Sequence, residues 1–92
     1  MTSVLAIDTV TVTTASKTIQ ELLSLAAGQM EADTKTITLR PVGTVSRALG
    51  KAAVAGTNDL PSGAWYEMAC LVGTDLRFIA AGSTEMEIQQ EG

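Results

Sequence analysis

Ninety-two residues with six Lys/Arg, ten Asp/Glu, no His and a net charge of −4 read as one small acidic domain over residues 1–92. Hydrophobic residues are 46% of the chain and aromatics only 3%, so Val, Leu, Ile, Ala and Met must form the core, and the disordered class is excluded. The cations are scattered singly, against nucleic acid or an anionic membrane surface as partner, and no apolar run approaches the ~20 residues of a membrane-spanning helix.

The chain opens without a basic stretch or a full apolar stretch, which predicts no secretory signal. Thr9-Val10-Thr11-Val12-Thr13-Thr14 then alternates with period two, predicting a strand with Val10 and Val12 inward and the threonines outward. Leu5 and Ile7 fall on the other parity, so a bulge or bend is expected near Asp8. Thr18-Ile19-Gln20-Glu21 has the spacing of a capping box. A short helix follows over residues 18–27, with Ile19, Leu22, Leu23 and Ala26 on its core face and Gly28 as the stop.

Residues 30–34 read as a polar connection. Thr36-Ile37-Thr38-Leu39-Arg40 alternates again, with Ile37 and Leu39 inward and Pro41 ending the strand or placing it at an edge. Across residues 42–57 the pattern fits short strands at 45–49 and 52–54, or a helical turn over 46–53. Residues 58–63 have loop composition. A strand is expected over 64–72, with Tyr66, Met68, Cys70 and Val72 on one face and Trp65, Glu67, Ala69 and Leu71 on the other. Gly73-Thr74-Asp75 turns into a strand at 76–80, and Gly82-Ser83-Thr84 into a last strand at 85–90, with Met86 and Ile88 inward. The last third therefore reads as a three-stranded meander. The fold class expected is all-β, a small mainly antiparallel sandwich or barrel with one short helix.

Chemistry is sparse. Without His there is no catalytic triad, and one Cys adds no zinc or iron–sulfur framework. Cys70 cannot form an intramolecular disulfide, fits a reducing cytoplasm and reads as a small core residue. Glu85 and Glu87 share one face of the last strand as a solvated surface rather than an acid–base pair. Gly50-Lys51 is no phosphate loop, because six residues separate Gly43 from Gly50 and Ala52 stands where Ser or Thr is needed. No catalytic, cofactor or metal residue is nominated, and the expectation is a protein that is not an enzyme.

The phrase Pro61-Ser62-Gly63-Ala64-Trp65-Tyr66, followed by Asp75-Leu76-Arg77-Phe78-Ile79-Ala80-Ala81-Gly82 and a final strand, resembles small virion proteins of tailed bacteriophages. The Thr/Val strand before Ser16-Lys17-Thr18-Ile19-Gln20-Glu21-Leu22-Leu23 is similar to their N-termini. The resemblance implies a capsid decoration, or cement, protein. Such a protein is assembled in the host cytoplasm, forms a homo-oligomer with a trimer favoured, and binds the major capsid protein on the virion surface. Trp65 and Tyr66 are then the interface anchors. Val4, Leu5 and Ile7 belong either to an N-terminal arm, residues 1–8, that pairs with a neighbouring sheet edge, or to an ordinary first strand of the domain itself. Other readings are a host- or carbohydrate-binding module using Trp65 and Tyr66, a head–tail or tail-associated component, and a small acidic inhibitor.

Overall fold

The computed structural model describes residues 4–69 and 76–92. Its elements are β1 (Val4–Val12), β2 (Lys17–Thr18), α1 (Ile19–Leu25), β3 (Thr36–Pro41), β4 (Val45–Leu49), β5 (Asp59–Leu60), β6 (Tyr66–Ala69), β7 (Leu76–Ile79) and β8 (Thr84–Glu91). They form two four-stranded sheets, ordered β1-β8-β3-β6 and β2-β7-β4-β5, and every described pairing is antiparallel. The all-β fold with one short helix is thus what the chain adopts.

The two strand orders are related. Each consecutive pair, β1 with β2, β3 with β4, β5 with β6 and β7 with β8, is one length of chain that bends and gives a strand to each sheet. Strands that switch sheets at a bend are how such corners are made. Backbone bonds stitch the corners together: Ala80 N–H to Thr13 C=O at 2.9 Å, Val42 N–H to Glu85 C=O at 2.8 Å, and Gly63 N–H to Pro41 C=O at 2.7 Å.

This arrangement corrects the expected meander. Among the described residues β6, β7 and β8 are unpaired with one another: β6 lies on β3, β7 between β2 and β4, and β8 between β1 and β3. Alternation tells which residues of a strand face inward but not which strand lies beside it. Two further corrections fall on the weakly patterned middle. Residues 52–54 are not a strand, and the helical turn over 46–53 is displaced by β4. The short strand β5 lies within the stretch read as loop. The expectations for Cys70, Leu71, Val72 and the turn at 73–75 lie outside the described residues.

Within β1, Val10 and Val12 are buried and Thr9 and Thr11 exposed, as the alternation requires. The irregularity falls between Val4 and Ala6 rather than at Asp8. Asp8 keeps the core-side parity opposite Ile88 and stays half-exposed at the sheet edge. Pro41 ends β3, which is an interior strand. Because β6 pairs only with Thr36 to Leu39, Pro41 needs no donor on that side. The core is a set of cross-strand rungs, such as Asp8–Ile88–Leu39–Tyr66 and Val10–Met86–Pro41, closed from the second sheet by Val45, Leu60, Leu76 and Phe78.

α1 begins as its sequence specifies. Thr18 Oγ1 accepts from Glu21 N–H at 3.2 Å, and Glu21 Oε1 accepts from Thr18 N–H at 3.1 Å. Ile19, Leu22 and Leu23 are buried, whereas Ala26 is the exposed C-cap rather than a core residue, because the helix has already ended. The end is a Schellman motif: Gly28 N–H reaches Leu23 C=O at 2.7 Å and Ala27 N–H reaches Ser24 C=O at 3.1 Å. The left-handed residue is Ala27, φ 60°, not Gly28. A Cβ at Gly28 would instead meet the Asp8 carboxylate, 3.0 Å from Oδ1. Ala27→Gly should therefore stabilise the protein by about 1 kcal/mol, read as a raised denaturation midpoint at unchanged slope.

The hydrogen bonds from Thr18, backbone first and side chain second, hold the exposed Glu21 carboxyl below its ordinary value of 4.5. A lowered folded-state pKa stabilises above the unfolded value, and that contribution is lost as pH falls through the folded one. Glu21→Gln keeps a neutral acceptor. The wild type should melt higher than this variant at neutral pH, and the gap should narrow as the pH falls through the lowered folded-state value.

Candidate functional site

The outer face of the β1-β8-β3-β6 sheet is set by register. One rung reads Ile7–Gln89–Thr38–Glu67, the next Thr9–Glu87–Arg40, and the next pairs Thr11 with Glu85. Leu39 opposite Tyr66 brings Arg40 beside Trp65, and the guanidinium carbon lies 5.5 Å from the ring centroid. A cation stacked on an exposed indole contributes about 0.5–1 kcal/mol and fixes both side chains.

The nominated residues separate into two groups. Val4, Leu5 and Ile7 are exposed, but from Val4 onward they lie in β1, already paired with β8 of the same chain, so residues 4–8 are not a detached arm. Trp65 is half-exposed at the entry to β6, the opposite edge of the sheet. Three strand spacings, about 14 Å, lie between the groups. Tyr66 turns the other way and packs against the core beside Met68, so it is no surface anchor, and the two aromatics make no shared platform.

Sequence reasoning missed three polar residues, Gln90, Ser46 and Ser16. Gln90 is fully buried: its Oε1 accepts from Glu31 N–H at 2.7 Å and Thr34 Oγ1–H at 2.8 Å, and its Nε2 donates to Gln29 C=O at 2.9 Å. Ser46 Oγ donates to Asp59 Oδ1 at 2.6 Å and accepts from Gly56 N–H at 2.9 Å, while Ser16 Oγ accepts from Ala53 N–H at 2.9 Å. These serines hold the 50–57 segment against the domain. An uncharged polar residue on the buried parity of a strand is the signal that marks Gln90.

Two shallow grooves, of about 390 and 380 Å³, flank the exposed Leu25. Lys17, Gln20, Glu21 and Ser24 line one, and Thr9, Thr11, Thr13 and Ala26 the other. Among the described residues no three His, Cys, Asp or Glu side chains gather as a metal site, and no helix is long and apolar enough to cross a membrane. The surface most suited to a role is the broad outer sheet face with Trp65 and Arg40 on it. No family model, curated protein or solved structure matches the chain.

Proposed function

We propose that the protein is a non-catalytic virion component of a tailed bacteriophage, a decoration protein that oligomerises and binds the major capsid protein to stabilise the head. The observation that supports this reading most is the outer face of the first sheet. It is wide, it is lined by Thr, Gln and Glu, and it carries one preformed aromatic anchor, Trp65 held by Arg40. Trp and Arg are the side chains that most often dominate interface energy, and a flat face around them favours protein contact over ligand capture.

The order of strand, capped helix and closing strand that carries the resemblance to decoration proteins supports the same reading. Quantitative mass spectrometry of virions from a phage encoding this chain is the test. The reading predicts a copy number in simple ratio to the major capsid protein. Absence from the virion would overturn it, and a handful of copies would place the chain at the head–tail junction instead.

A further inference from the structure

The second sheet buries two side chains on the face turned away from the core. Val45 points into the core, so Ser46 and Ala48 alternate with it and point outward, yet they are only 3% and 7% exposed. Their rungs read Asp59–Ser46–Ile79 and Ala48–Arg77–Thr18. Residues 50–57 lie against this face, because Gly56 N–H donates to Ser46 Oγ and Ala53 N–H to Ser16 Oγ, both at 2.9 Å. The Ser46 hydroxyl hydrogen is committed to Asp59, which leaves its lone pairs for Gly56. Among the described residues these two bonds are the segment's hydrogen bonds to the rest of the domain, and its others run internally from Thr57 to Val54 C=O. Ala53 is its one buried side chain.

We propose that residues 50–57 are a hinged strap that lifts off the second sheet as one unit while the sandwich stays folded. Left-handed backbone stands at both ends: Gly50, φ 68°, at one, and Gly56 and Asn58, φ 87° and 51°, at the other. Such positions at the ends of elements absorb the backbone change of a hinge. Between them, Lys51-Ala52-Ala53-Val54-Ala55 buries a single methyl, so little apolar area holds the strap closed. Both anchors are side-chain hydroxyls rather than ladder bonds, so opening breaks two hydrogen bonds and no strand pairing. The strap therefore switches the second sheet between two surfaces. Closed, it hides Ser46 and Ala48; open, it presents them beside Ile79 and Arg77. This device is independent of the coat-protein reading and stands or falls without it.

The test is native-state hydrogen exchange on the full chain, read residue by residue in low denaturant. The amides of Ala53 and Gly56 should open alike and almost independently of denaturant, whereas amides inside β3 and β8 should follow the denaturant dependence of global unfolding. Ser16→Ala removes the partner of Ala53 alone, and Ser46→Ala that of Gly56 alone. If the strap opens as a unit, each variant accelerates exchange at both amides, by about three- to tenfold for one lost hydrogen bond. Acceleration confined to the amide that lost its partner would mean piecemeal fraying and would overturn the proposal. So would strap amides that exchange only with global unfolding. Limited trypsin digestion gives a second reading that needs no substitution at the buried Ser46. The first cut should fall after Lys51 and come faster in Ser16→Ala by the same factor, and a first cut elsewhere would count as refutation.

Discussion

Gln90→Leu is expected to destabilise the protein by about 3 kcal/mol and to lower its melting temperature by more than about 10 °C. The substitution fits an apolar side chain into the same volume, so the loss is not one of packing. It removes the partner of three groups at once: the N–H of Glu31, the hydroxyl of Thr34 and the carbonyl of Gln29. Those groups belong to the connection between α1 and β3, which has no regular secondary structure of its own. Leaving a buried polar group unpaired costs about 1–3 kcal/mol, more than the net gain from an ordinary hydrogen bond. Thr34→Ala removes only one of the three bonds and should cost about 1 kcal/mol. Thermal denaturation of both variants checks the ordering, and equal effects would contradict the role given to Gln90.

The corner between β3 and β4 carries the second large effect. A Cβ on Gly43 would sit 2.5 Å from Thr84 Oγ1 and 3.3 Å from Thr84 Cβ. Thr84 is the first residue of β8 and pairs with Val12, so its backbone is held by the sheet. Gly43→Ala should therefore cost about 2 kcal/mol, the usual scale for overpacking a fixed site. Thr84→Ala in the same chain should return most of that loss, whereas Thr84→Ser, which keeps the offending oxygen, should not. A coupling energy of about 1 kcal/mol or more in this cycle is the expected result. Additive losses would show that the close approach is not what requires glycine there.

Local chemistry was legible in the sequence wherever one period or one motif decided it. Val10 and Val12 in β1, Ile37 and Leu39 in β3, Met86 and Ile88 in β8, and the Thr18–Glu21 capping box all lie where alternation or spacing places them. Pairing was not legible, because a strand that bends into a second sheet has the same alternation as two strands of a meander. The site shows the same divide. Trp65 could be nominated as a large exposed side chain, but its contact with Arg40 depends on a register that joins residues 25 apart. Alternation put Tyr66 and Trp65 on opposite faces, but which of the two faces the core is decided only once β6 pairs with β3.

The central claim is that this domain binds an assembled head at many equivalent sites. Titration of labelled protein onto heads assembled without it, with bound and free protein separated by sedimentation, tests that most directly. The account predicts saturation at a multiple of the symmetry-related sites on the shell, with binding weakened when Trp65→Ala removes the anchor. Protein that stays in the supernatant at every concentration would contradict it.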